Sequence, residues 1–166
     1  NTVYEGVIEQ TGEKAEFRTH TPIEVVHYPV KSLDAEELNI DLDYDFNFLT
    51  VAQFGPRKNL PNTIKWFVEE FRNDDVGLIL KTNIAKNCLM DREMLFGQLK
   101  ELIKSLGDKK CKVYLLHGDM TDEEMHALYK HPKVNAFIAL PHGEGFGLPI
   151  FEAAYSGLPV VATGWS

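Results

Sequence analysis

Two glutamates, Glu144 and Glu152, stand with seven residues between them, and the first lies in the turn Pro141-His142-Gly143-Glu144-Gly145-Phe146-Gly147-Leu148-Pro149. Each oxygen of an ionised carboxylate accepts O–H donors, so paired carboxylates suit the hydroxyls of a polyol such as a sugar. Glycine at 143, 145 and 147 lets the backbone approach a ligand closely. The N–H groups of Gly147, Leu148 and their neighbours, at the start of the following helix, would then face a negative group. The glycine spacing departs from G-x-G-x-x-G, which disfavours NAD. Taken singly, each acid has a plainer reading that neither residue alone displaces. Glu144 would be a solvated loop acid, and Glu152 a first-turn acid complementing the helix dipole.

A second chemical signal is Gly55-Pro56-Arg57-Lys58-Asn59. Two cations directly before a helix start make a local anion site that would suit a phosphate. The alternative is a solvated basic turn with Asn59 as N-cap.

The chain of 166 residues carries 17 Lys plus Arg against 25 Asp plus Glu, a formal net charge of -8. A nucleic-acid partner is disfavoured, because no concentrated basic face is available to displace counterions. With 44% apolar and 25% charged residues the composition is that of a folded domain. Such a length buries enough surface to need neither disulfide nor structural metal. Cys88 and Cys111 show no C-x-x-C and no companion histidine at zinc spacing, which fits a reducing compartment. His20, His27, His126 and His131 carry no metal spacing, and His142 reads as a structural residue rather than a general base. No apolar run reaches the length of a membrane span.

These residues must be positioned by regular elements. The spacing of Val3, Tyr4, Val7 and Ile8 predicts a short amphipathic helix over 2–11, followed by a polar linker to Thr21. A first short strand is expected over 23–28, and an acidic loop over 31–45. Apolar β-rich runs then alternate with segments of helical period. Strands are expected over 46–54, 76–81, 111–116, 134–140 and 158–163. Helices are expected over 59–72, 91–106, from Thr121 to about His131, and from the glycine turn to Gly157. Pro61 sits in the first turn of the first of these, and Thr121-Asp-Glu-Glu124 is a capping box. Strands apolar nearly throughout and separated by helices predict a parallel sheet covered on both faces, a doubly wound α/β domain. Ligands of such sheets bind beyond the carboxyl ends of the strands, here after Phe54, Lys81, Leu116, Leu140 and Thr163.

The runs V-A-Q-F-G-P-R-K-N-L at 51–60 and H-G-E-G-F-G-L-P-I-F-E-A-A-Y-S-G-L-P-V-V-A-T at 142–163, with the strand and capping box at 113–124 between them, resemble the donor-binding domain of retaining GT-B glycosyltransferases of family 4. The resemblance covers residues 22–166, and its E-x7-E region is the most specific part. It implies a Rossmann-like fold, the C-terminal half of a GT-B architecture, with residues 1–21 as an interdomain helix and linker.

By that resemblance Glu144 matches the glutamate that contacts the transferred sugar, and Glu152 the one that holds the ribose hydroxyls. Gly145, Phe146, Gly147 and Leu148 match the backbone cradle for sugar and diphosphate, and Lys58 the lysine that neutralises the diphosphate. Where family members place a phosphate-binding arginine, this chain has Gln53, and Arg57 is the expected replacement. His117 and Gly118, in the run His117-Gly118-Asp119-Met120, match the region lining the base. The resemblance implies a nucleotide-diphosphate sugar, UDP- or GDP-linked, as substrate, with no cofactor and no metal. Further implications are a glycan, lipid or small-molecule acceptor, a missing N-terminal domain, a cytoplasmic or membrane-peripheral location, and no turnover by this chain alone. Two other readings stand beside it: another nucleotide-sugar enzyme on the same fold, such as an epimerase or phosphorylase, and a non-catalytic nucleotide-sugar or protein-binding module.

Overall fold

The computed structural model describes residues 2–7, 11–22, 24–26, 29, 34 and 37–164. The chain divides into two compact units, Asn1–Ser32 and Leu33–Ser166.

In the first unit β1 (Thr2–Val7) and β2 (Lys14–Thr19) form an antiparallel hairpin with Val7 opposite Lys14. This corrects both the helix expected over 2–11 and the linker expected to Thr21, which holds β2. Thr, Val and Tyr in succession favour extended backbone, and Gly12, at a φ of 71°, supplies the left-handed turn residue that returns the chain. Of the strand expected over 23–28, residues 23, 27 and 28 lie outside the described ones, and residues 24–26 join no ladder.

The second unit follows the expected alternation. It runs β3 (Phe46–Val51), a 3-10 turn (Pro56–Lys58), α1 (Leu60–Glu70), β4 (Val76–Lys81), α2 (Leu89–Ser105), β5 (Lys112–Leu116), α3 (Asp122–Tyr129), β6 (Val134–Ala139), α4 (Leu148–Tyr155) and β7 (Val160–Ala162). The five strands form one parallel sheet in the order β5-β4-β3-β6-β7. From β3 the chain builds outward through β4 to β5, then returns to the other side of β3 for β6 and β7. The direction reverses between β3 and β6, which makes the gap beyond their carboxyl ends the switch point where such sheets bind ligands.

Alternate residues of each strand feed opposite faces, as the pleat requires. Leu78 and Leu80 join Ile64, Phe67 and Val68 of α1 and Leu95 and Leu99 of α2. Ile79, with Leu49 and Phe137, packs instead against Leu128 and Tyr129 of α3 and Ala153 of α4. The sheet is therefore doubly wound, with α1 and α2 on one face and α3 and α4 on the other.

Two local devices fix the centre of the sheet. The β3–β6 register shifts between Asn47 and Phe48, leaving Asn135 as the extra residue, and its Oδ1 accepts the Asn47 N–H at 3.0 Å. The capping box of α3 is complete: Thr121 Oγ1 accepts from the Glu124 N–H at 3.1 Å, and Glu124 accepts from the Thr121 N–H at 2.7 Å.

Candidate functional site

Lys58 and Glu144 meet at the switch point. Lys58 closes the 3-10 turn that follows β3, Glu144 lies in the glycine turn that follows β6, and their side chains form an ion pair with each 17% exposed. Asn59 fixes the first of these segments. It adopts a left-handed conformation, φ 56° and ψ 28°, between the 3-10 turn and α1, and its Nδ2 donates to Leu140 O at 3.0 Å. Arg57 adds two further ties, its guanidinium donating to Gly143 O at 2.8 Å and its carbonyl accepting from the His142 N–H at 2.9 Å. The turn after β3 is thereby sewn to the turn after β6.

Lys58, seconded by Arg57, holds the Glu144 carboxyl below the usual carboxylate range, although partial burial works the other way. Glu144 is therefore an anion at neutral pH, ready to accept hydrogen bonds. Behind it Gly147 caps α4 at φ 74° and ψ 45°. A Cβ there would lie 3.2 Å from Glu144 Cγ, so this glycine answers both a backbone conformation and a close approach. Below the ion pair a cavity of about 20 Å³ is lined by both partners together with Phe137, Leu140 and Ile150.

Glu152 lies within α4, half-buried, and its Oε2 accepts the Tyr129 hydroxyl at 3.1 Å. Burial raises the Tyr129 phenol and the Glu152 charge raises it further, so Tyr129 stays a donor and fixes one carboxylate oxygen of Glu152. Phe146 is largely exposed, with its ring 5.6 Å from that of Phe151. Gly145 is exposed, and Leu148 opens α4.

A second, larger cleft of about 320 Å³ opens beyond β3 and β4, lined by Gln53, Lys58, Lys81, Thr82, Asn83, Asn87 and Pro149 among others. Gln53 donates its amide to Ile84 O at 2.7 Å. Arg57, the expected replacement for a phosphate-binding arginine, is not part of this wall, and its side chain is 60% exposed and engaged with Glu144.

The loops after β4 and β5 are joined in their turn. Lys81 Nζ donates to Gly118 O, and Asn87 donates to Asp119. The His117 imidazole, 3% exposed, bonds Asp91 at 2.9 Å. Asp91 also accepts the N–H groups of Ile84 at 2.9 Å, Ala85 at 2.7 Å and Lys86 at 2.9 Å. Burial works to raise the Asp91 carboxyl, but these donors outweigh it and hold it well below the usual range. His117 thus faces inward and supports the loop, while Gly118, at a φ of 118°, turns the backbone.

The structure brings Lys58, Arg57, Glu144 and the glycine turn together around one gap, and sets Gln53 beside Lys58 in the larger cleft. It places Glu152 against Tyr129 and His117 against Asp91. Sequence reasoning did not single out Lys81, Asp91 or Tyr129. Lys81 had a signal available, since it ends the apolar run Val76–Leu80 at the carboxyl end of a parallel strand. Asp91 and Tyr129 had none: Asp91 is held by His117, 26 positions away, and by the 84–86 backbone, whose N–H groups no residue type marks, and Tyr129 is bonded to Glu152, 23 positions away. Among the described residues no group of three or more His, Cys, Asp or Glu side chains is placed to hold a metal ion, and no helix is long and apolar enough to cross a membrane.

The parallel sheet, its switch point and the glycine turn define a Rossmann-like domain of the kind found as the C-terminal half of GT-B glycosyltransferases. Residues 34–165 match the family Glycosyl transferases group 1, and the chain belongs to that family. No curated protein matches the chain. Among solved structures it is similar to the C-terminal domain of a glycosyl transferase group 1 family protein (LpcC) from Francisella tularensis, with a TM-score of 0.53 and 17% identity over 73% of this chain and 59% of that one. It is also similar to a trehalose-6-phosphate synthase studied with bisubstrate glycomimetics, with a TM-score of 0.50 and 14% identity over 73% of this chain and 30% of that one. At these identities the likeness is one of fold, and the chain spans about three fifths and less than a third of the two.

Proposed function

We propose that this chain is the donor-binding part of a retaining glycosyltransferase of family 4, which moves a sugar from a nucleotide-diphosphate donor to an acceptor. In this reading residues 22–166 hold the donor, residues 1–21 belong to the connection between domains, and a second domain completes the site, so the chain alone does not turn over. The observation that carries the reading is the meeting of Lys58 and Glu144 at the switch point of the sheet, in a chain of the glycosyl transferases group 1 family.

As the glycosidic bond of the donor breaks, negative charge grows on the departing diphosphate. Lys58 and the N–H groups at the start of α4 are the donors that meet it. A charge-assisted hydrogen bond is worth about 1.5–3 kcal/mol, and one aimed at developing charge lowers the barrier rather than only tightening binding. Glu144 accepts hydroxyls of the transferred sugar and fixes its orientation toward the incoming acceptor. Before the donor arrives Lys58 and Glu144 satisfy each other, so the diphosphate and the sugar hydroxyls replace that pair with one partner each. The free oxygen of Glu152 takes the ribose hydroxyls while Tyr129 anchors the other. Attack comes from the side of the departing phosphate, which gives retention. The donor nucleotide is UDP or GDP, bound without a metal.

Calorimetric titration with UDP, GDP and ADP and their sugar conjugates, with and without magnesium, tests the reading. Magnesium-independent preference for one nucleoside diphosphate is the expected result. Absence of binding by the intact protein at millimolar ligand would overturn it, and point to a module that uses this fold for another partner.

A further inference from the structure

The wall of the 320 Å³ cleft contains two lysines, and their situations differ. Lys58 is charge-balanced by Glu144. Lys81 ends β4, is half-buried, and donates to the neutral carbonyl of Gly118. Among the described residues it makes no ion pair. Burial pulls its ammonium below the ordinary lysine value, and the more distant charges of Asp119 and Glu124 offset this only in part. A cation half removed from water and bonded only to a carbonyl gains from any anion that enters the cleft.

The next residue points to the same ligand chemistry. Thr82 lines the cleft, is 4% exposed, and its Oγ1 finds no hydrogen-bond partner in the protein. Buried hydroxyls are almost always paired. A phosphate oxygen accepts from hydroxyl and ammonium alike, whereas an apolar ligand would leave both unmet. Gln53, across the cleft, uses one amide N–H on Ile84 O and keeps a second for a ligand. Arg57 cannot supply the second positive charge, since it is turned toward Gly143 and Glu144.

From this arrangement we infer that Lys81, with Thr82 and Gln53, forms a phosphate subsite in the cleft beside Lys58. The phosphate comes either from the donor diphosphate or from a phosphorylated acceptor. The inference rests on the proposed function for that choice of source, and on the cleft itself for the phosphate.

Titration of the intact protein and its Lys81→Met variant tests it, with five probes: UDP, GDP, uridine, guanosine and a hexose phosphate. Methionine keeps the long apolar stem and removes the charge, and Lys81→Arg serves as the variant that keeps it. Lys81→Met is expected to weaken a phosphate-bearing probe about tenfold or more, to leave nucleoside affinity unchanged, and to be rescued by Lys81→Arg. Loss confined to the nucleoside diphosphates assigns the subsite to the donor, and loss confined to the hexose phosphate assigns it to the acceptor. Wild-type protein that binds the hexose phosphate but no nucleotide would keep the subsite and remove the donor reading. Equal affinities of wild type and Lys81→Met for every probe would overturn the subsite alone, and a wild type that binds none of the probes would overturn both.

Discussion

The Lys58 ammonium reaches the Glu144 carboxylate across 86 positions of sequence, joining the turn after β3 to the turn after β6. Nothing local forces this pair. It follows from the strand order, which makes β3 and β6 neighbours and delivers their carboxyl-terminal turns to one gap.

Replacement of Lys58 by alanine should lower nucleoside diphosphate affinity about tenfold or more, the worth of one charge-assisted hydrogen bond. Because the lysine also holds Glu144, stability should fall too, by on the order of 1 kcal/mol for a pair still partly open to solvent. Titration and thermal melting of the same variant separate the two effects. Unchanged affinity would remove Lys58 from the site.

The two glutamates should separate kinetically. In the intact enzyme Glu144→Gln should lower kcat about a hundredfold, the usual scale for a lost electrostatic contact at the reacting centre. Glu152→Ala should instead weaken every nucleotide about tenfold. A Glu144→Gln variant that turns over normally would break the match between this residue and the sugar.

Acid should act on the Lys58–Glu144 pair in a definite direction. The Glu144 carboxyl titrates below its ordinary value of 4.5 because Lys58 bonds it. A depressed carboxylate contributes stability that is full above the ordinary value and fades as pH falls through the lowered one. Melting temperature should therefore drop more steeply below pH 4.5 in the wild type than in Glu144→Gln. Parallel curves would mean that the pair does not persist in solution.

Gly147→Ala should cost about 1–2 kcal/mol, since the position is left-handed. It should also disturb Glu144, whose Cγ lies 3.2 Å from the new methyl position. The measurement is a melting curve paired with nucleotide titration.

Gly77→Ala tests the sheet away from the site. A Cβ there would fall 1.9 Å from Asn47 Oδ1 and 2.7 Å from the Tyr114 ring. Overpacking of this kind costs about 1–3 kcal/mol, read as a lower melting temperature with ligand affinity retained by the folded fraction.

The α/β alternation was legible because each strand is a short apolar run and each helix carries a stripe, so period and length alone separate them. Residues 2–8 misled, since Val3, Tyr4, Val7 and Ile8 satisfy a helical spacing while their types favour a strand, and the partner strand at 14–19 decides the matter. The site divided along the same line. The glycine turn and the basic turn are local patterns, and they stood out. Asp91 did not, because its role depends on the 84–86 backbone and on His117 arriving from another strand. Tyr129, which steadies Glu152, was visible only as a core residue of α3.

The four carboxyl-terminal turns are stitched in pairs. Asn59, Arg57 and Lys58 bind the β3 turn to the β6 turn, while Lys81, Asn87 and Asp91 bind the β4 loop to the β5 loop. Between the pairs run three contacts to backbone carbonyls, Ala52 N–H to Lys81 O at 3.1 Å, Phe54 N–H to Asn83 O at 2.6 Å and Gln53 to Ile84 O at 2.7 Å. Such a division makes the domain modular for engineering: side chains of the second pair can be exchanged for a different ligand while the contacts that hold Lys58 to Glu144 are left in place.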